Sequence, residues 1–306
     1  MISGWIILDK PLGLGSTQAV AAVKRNLRQA GYGKVKVGHG GTLDPLATGV
    51  LPIAVGEATK LAGRMLDASK EYAFTVCFGA ETDTLDLEGK VIAMSDVRPS
   101  WADIEAVLAR FTGPIEQVPP AYSALKVDGA RAYDLARAGE AVALKSRAVT
   151  VHSLTPGPSL VAGGAGLLAE ITFIALVSKG TYIRSLARDI AHALGTVGHV
   201  TMLRRLRAGP FGLAQAISLD KLNELGKAEK LEHVLLPLEV GLVDIPALDL
   251  EPEQARAVRQ GRVLTGLPHP DGLYWVRHGD VPLALVELSG TVLIVARGFN
   301  IPDVAE

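Results

Sequence analysis

The apolar positions of this 306-residue chain fall in short runs separated by Gly- and Pro-rich punctuation, some at strand period and some at helix period. Trp5-Ile6-Ile7-Leu8 is unbroken, which predicts a buried strand running into Asp9-Lys10-Pro11 and a turn at Gly13 and Gly15. Ser16 reads as the N-cap of a helix from Thr17 to about Ala30, with Val20, Val23 and Leu27 on its apolar face. A short strand over Leu51 to Val55, a helix over Glu57 to Leu66 and an alternating strand over Lys70 to Phe78, ended by Gly79, follow in order. Ser100-Trp101-Ala102-Asp103 opens a helix reaching Phe111, with Asp103 where a capping box has Glu. Pro114 to Pro120 is an extended connector, and Ala130 to Ala138 a helix. Leu167 to Val177 reads as a long strand, Ser185 to Leu194 as a helix closed by Gly195, and 218–239 as a polar, mostly helical edge.

From about Ile245 the texture changes to short strands. A helix over Glu253 to Gln260 ends at Gly261, and strands over Tyr274 to Arg277, Leu283 to Leu288 and Val292 to Ala296 are joined by Gly279-Asp280 and Ser289-Gly290. The pattern predicts an α+β fold, a mixed sheet with flanking helices over 1–244, and a small β-rich domain over 245–306 that leans on its neighbour.

Composition changes the picture little. Hydrophobic residues make up 48% and charged residues 21%, as in an ordinary globular protein. Neither a secretory signal nor a membrane span is expected, since the most apolar stretch, Leu160 to Val177, carries Glu170 and a Gly-Gly pair. Cys77 is the one cysteine, which excludes an internal disulfide and a thiolate zinc site and fits the cytoplasm. Charge changes it more, because a net charge of −1 hides a polarised chain. Residues 1–40 hold six Lys/Arg against Asp9, and 179–207 hold six against Asp189, whereas 67–105 hold nine acids against three bases. Basic segments sharing one face would suit a phosphate backbone, with Arg204 and Arg205 in the footprint. The bases and tyrosines of Tyr122 to Arg147 suit an RNA-facing flap over about 120–150.

The candidate chemistry lies in Gly38 to Leu51, where one carboxylate, Asp44, and one imidazole, His39, sit among four glycines. Pro45 fixes its own φ and pushes Asp44 out of helix, so the carboxylate projects from a stiff loop. A turn in which Asp44 merely caps backbone amides is the competing reading of these residues alone. No G-x-x-x-x-G-K-[ST] run is present, and Gly13/Gly15 lack the third glycine of a dinucleotide fingerprint. Glu81 to Asp86 lacks the glycine and distal glutamate of an EF-hand and is expected to be a solvated loop.

Asp9-Lys10-Pro11 with Gly13 and Ser16, Gly38 to Leu51, Tyr122 to Gly129, Ser178 to Arg184 and Gly198 to Arg207 together resemble the TruB family of bacterial tRNA pseudouridine-55 synthases. The resemblance is dense from residue 4 to about 210, and the tail is similar to a PUA-type RNA-binding domain. It implies a pseudouridine synthase fold with a largely antiparallel central sheet. The implied reaction isomerises a uridine in the T loop of tRNA, with a flipped-out base and neither cofactor nor metal. It implies Asp44 as the essential carboxylate, Arg184 as its partner, and Tyr72 as the ring that stacks on the target base. His39 would fill or prop the space of the displaced base, Tyr182 and Leu203 would touch the uridine, and Lys126 would lie in the segment covering the pocket. The implied partner is the tRNA T stem-loop, with the protein a monomer. Whether Asp44 attacks C1′, attacks C6 or deprotonates C2′ stays open. A non-catalytic tRNA-binding chaperone is the competing function, and an N-glycosidase that releases uracil is a third.

Overall fold

A computed structural model describes residues 2–302 except 124, 128–129, 134–137, 139–143 and 163–165. A nine-stranded sheet forms the body. Across it run Gly4–Lys10, Ala47–Val55, Gly198–Ala208, Lys70–Phe78, Leu168–Val177, Arg147–Ala162 and Gly113–Gln117, with Val37–His39 and Phe211–Gly212 as short additions. Every neighbouring pair is antiparallel except Ala47–Val55 with Gly198–Ala208. That one parallel contact sets Leu203 opposite both Ala47 and Phe74, and Arg205 opposite both Gly49 and Tyr72. The close approach requires glycine at 49, where φ is +101° and a Cβ would overlap the Arg205 backbone.

The first strand is unbroken in sequence because it is covered on both faces. Ile6 and Leu8 pack with Leu51, Ile53 and Val55 under Ala19, Val23 and Leu27 of the helix Ser16–Gln29. Trp5 and Ile7 pack the other way with Val50, Ala54, Met65 and Phe211. A third cluster seats Ile183, Leu186 and Ile190 of the helix Ile183–Ala193 on Phe74, Val76, Ile171 and Phe173.

Several expectations shift. Ser16 does not cap its helix: Gly15 does, with the Gln18 side chain reaching back to the Gly15 N–H. The helix expected over Glu57 to Leu66 is a 3-10 turn, Gly56–Leu61, followed by a helix, Ala62–Asp67. The connector after Thr112 pairs as the strand Gly113–Gln117 with the long strand Arg147–Ala162, whose alternation is masked by Pro156, Gly157 and Pro158 and by bulges against Leu168–Val177. Ser100 and Asp103 do form the reciprocal capping box. Ala130 and Arg131 pair with Val127 and Lys126, and most of the helix expected to follow lies outside the described residues.

Five strands between Ala247 and Gly298 make a second sheet, in the order Ala247–Asp249, Gly272–His278, Val281–Ser289, Val292–Gly298, Leu264–Thr265. It does not stand apart from the first. Trp275, Leu285 and Phe299 join the cluster built on Trp5 and Phe211, and the Asn300 N–H donates to Glu57. The tail therefore completes a core that belongs to the body. Phe299→Ala is expected to cost about 3–5 kcal/mol of unfolding free energy. In a denaturant titration followed by tryptophan fluorescence it should shift one shared transition; a tail transition moving alone would show two separate cores.

Candidate active site

The loop that carries Asp44 is held from below by side chains that all bond to its backbone. Ser16 Oγ accepts from the Leu43 N–H at 2.8 Å and donates to the Leu43 carbonyl at 2.9 Å. Lys10, fully buried, donates from Nζ to the carbonyls of Leu14 (2.6 Å), Pro11 (3.1 Å) and Pro45 (3.2 Å). Arg205, also buried, donates to the carbonyls of Val50 (2.7 Å), Gly41 (3.1 Å) and Thr42 (3.3 Å). Burial lowers the Lys10 pKa to about 8, with the charge of Asp44 pulling it up and that of Arg205 pushing it further down.

Asp44 projects from this braced loop, and its Oδ2 meets Arg184 Nη2 at 2.9 Å. The two partners are unequal. The Arg184 side chain is 8% exposed and that of Asp44 44%. Arg184 is held from behind by Asp86 (Nη1 to Oδ2, 3.3 Å), the Thr84 carbonyl (2.9 Å) and the Tyr122 carbonyl (3.1 Å). Asp86 Oδ1 accepts from Thr84 Oγ1 at 2.6 Å and from the Glu88 N–H at 3.0 Å. The segment expected to be a solvated loop is thus a packed turn: Thr82, Thr84 and Asp86 are all buried. Nothing in the sequence marked Asp86 beyond its Thr-acid alternation, because its partner lies 98 residues away.

A cleft of about 800 Å³ opens over the parallel contact in the sheet. Asp44, Tyr72, Tyr182, Arg184 and Leu203 all line it. Tyr72 and Leu203 each bridge two core clusters, so their rings and methyls reach the cleft from packed bases. The Tyr182 backbone is gripped on both sides by the buried Gln117 amide, at 2.8 and 3.1 Å, and Arg147 lies over its ring at 4.8 Å. Lys70 lines the cleft too, donating to the Leu66 and Ala68 carbonyls; burial lowers its pKa to about 8, with Arg205 adding to the effect.

Two expected residues stand differently. His39 is not among the lining residues; its Nδ1 faces the Gly41 N–H at 3.4 Å, and burial, helped by Arg205, lowers its pKa. Lys126 sits in the short ladder with Arg131, and its side chain lies outside the described residues. Arg204 and Arg205 of the run 204–207 have partners within the protein. Arg205 is buried, and Arg204 is locked to Asp9 by bonds of 2.8 and 3.0 Å. Among the described residues no three His, Cys, Asp or Glu side chains gather as a metal would require.

The sequence matches two family models, the N-terminal domain of TruB family pseudouridylate synthases over residues 25–183 and the C-terminal domain of tRNA pseudouridylate synthase B over 184–243. The chain belongs to the TruB family of pseudouridine synthases. It is 75% identical to the tRNA pseudouridine synthase B of Novosphingobium aromaticivorans over the full length of both chains. It is 58% identical to that of Zymomonas mobilis over 98% of this chain and 96% of the other. Among solved structures it is similar to one titled as a Cbf5-Nop10-Gar1 complex, with TM-score 0.72 and 28% identity over 98% of this chain and 85% of that one. An H/ACA ribonucleoprotein bound to a substrate RNA containing 2′-deoxyuridine gives TM-score 0.71 and 26% identity over 98% and 85%.

For a TruB-family synthase this geometry has two consequences. Asp86→Asn keeps the shape of the Arg184 brace but removes its charge, and should lower single-turnover kcat on the order of 10²-fold with a smaller effect on KM. Arg184→Lys loses the planar fork and should not rescue Arg184→Ala. The lowered His39 pKa means the unfolded chain binds more protons just below the ordinary value of about 6.5. Stability contributed by neutral His39 is therefore complete above that pH and is lost as pH falls toward the folded value. His39→Asn should flatten the fall in chemical-denaturation stability below pH 6.5; an unaltered slope would assign it elsewhere.

Proposed function

We propose that this protein isomerises the uridine at position 55, in the T loop of tRNA, to pseudouridine. The observation that carries the reading is the Asp44 carboxylate anchored to a buried guanidinium, on the wall of a cleft of about 800 Å³. A space of that size takes a nucleotide pulled out of its stack. Flipping costs about a few kcal/mol, and stacking on an aromatic face such as that of Tyr72 returns roughly 1–3 kcal/mol. Leu203 and Tyr182 supply further wall for the uridine, and the backbone ladder at Lys126 belongs to the segment that covers it. His39, neutral and beneath the loop, props the space of the displaced base through Gly41.

The reaction breaks N1–C1′, turns the uracil within the cleft and forms C5–C1′, while C5 gives up its proton. Positive character builds at C1′ as the first bond breaks, and a nearby anion stabilises it. Attack at C1′, attack at C6 and removal of the C2′ proton all begin from the Asp44 anion, which Arg184 meets at 2.9 Å. Atoms are conserved and no electrons leave, so the chain's own groups suffice. The relatives carry tRNA in their names, and a solved structural neighbour holds a substrate RNA, which supports tRNA as the substrate class. The reading includes a PUA-like RNA-binding role for 245–306 and a monomer working in the cytoplasm.

The test is incubation of T-arm RNA with the purified protein, followed by mass measurement and chemical mapping of pseudouridine. Pseudouridine at position 55 with unchanged RNA mass is expected, and loss of one base would make the protein an N-glycosidase. Asp44→Asn should lower turnover on the order of 10³-fold or more while keeping tRNA affinity. Near-normal activity in that variant would leave only the chaperone reading.

A further inference from the structure

The wall of the cleft holds a hydroxyl that the fold does not use. Ser123 is 4% exposed, lies among the lining residues, and its buried Oγ has no hydrogen-bond partner among the described residues. Its backbone is pinned on both sides: the N–H donates to the Ala121 carbonyl at 3.0 Å, and the carbonyl accepts from the Tyr133 N–H at 3.0 Å. The adjacent Tyr122 carbonyl accepts from Arg184 Nη2 at 3.1 Å, the same nitrogen that meets Asp44 at 2.9 Å. Ser123 thus follows directly the carbonyl that shares an Arg184 nitrogen with Asp44.

A buried hydroxyl left unpaired works against folding, and an alanine there would remove that cost. Its retention in a cleft wall makes sense where a ligand completes the bond. The surroundings select the ligand. On the cleft wall Asp44, Asp86 and Glu88 balance Lys70, Arg184 and Arg205, so no net charge draws a phosphate there. A neutral base needs no counter-charge, and a serine hydroxyl both donates and accepts, as the uracil edge requires.

We propose that Ser123 Oγ is a hydrogen-bonding group for the uracil of the flipped target uridine, paired only when that base occupies the cleft. The inference rests on the uridine-isomerising reading given above. It is tested with Ser123→Ala and with Ser123→Cys, which keeps the bulk and only a weak donor. Each is assayed in single turnover on T-arm RNA and for affinity toward the same RNA carrying an abasic sugar at the target. Ser123→Ala should lose about five- to tenfold in kcat/KM. Ser123→Cys should fall between it and wild type. Both should bind the abasic RNA as wild type does and melt at the same temperature or higher. Equal weakening toward both RNAs, a lowered melting temperature or unchanged kinetics would overturn the proposal. A wild-type protein that leaves no pseudouridine in T-arm RNA would instead overturn the reading beneath it, and this inference with it.

Discussion

The site depends on one guanidinium that has been taken out of water and given more acceptors than a single carboxylate supplies. Arg184 spends its donors on Asp86, on the carbonyls of Thr84 and Tyr122, and on Asp44. The first three hold it in place, and the fourth is what it is placed for. Removing one partner of a buried ion pair costs about 3–5 kcal/mol, because the charge left behind is unpaired. That cost keeps the arginine rigid. The two carboxylates it joins differ in burial: the Asp86 side chain is 10% exposed and hydrogen-bonded on its other oxygen, whereas that of Asp44 is 44% exposed, and both line the cleft.

A carboxylate is useful in this way only if its loop holds still, and the loop has little core of its own. Beside the buried Leu43, its backbone is tied down by Lys10, Arg205 and Ser16, through carbonyls and one amide. Burial is the main cause of the lowered Lys10 pKa, and the nearby Arg205 charge adds to it. Asp44 offsets it as the counter-charge Lys10 feels from above. The brace and the carboxylate that projects from the loop therefore attract each other across it.

The parts of the molecule legible in the sequence are those set by neighbours along the chain. The strand Lys70–Phe78 follows from its alternation, the capping box at Ser100 and Asp103 from its spacing, and the Asp44 loop from glycines and a proline. Apart from Asp44 with Arg184, which the family resemblance supplied, long-range pairing was illegible. Asp86 meets Arg184 across 98 residues, and Arg204 meets Asp9 across 195. Ser16 shows the limit sharply, since Ser before a helix reads as a cap and here serves Leu43, 27 residues on. Arg147–Ala162 was hidden for a different reason: two prolines, a glycine and several bulges break the period that would reveal a strand.

The arginines carry the same lesson into electrostatics. A count of charge along the chain made 179–207 the second basic segment, but the fold pairs or buries most of those cations. Arg184 and Arg205 are buried, Arg204 is bound to Asp9, Arg188 to Asp189 and Lys179 to Asp67. In the first segment, by contrast, Arg25, Arg28, Lys34 and Lys36 are exposed. Attraction to a phosphate chain depends on charge left in water, because paired cations have no counterions to release when RNA arrives. The helix Ser16–Gln29 and the turn after it therefore carry exposed positive charge, while Arg184 and Arg205 are structural. Net charge and local charge count both misjudge such a surface; only the cations without a carboxylate beside them contribute.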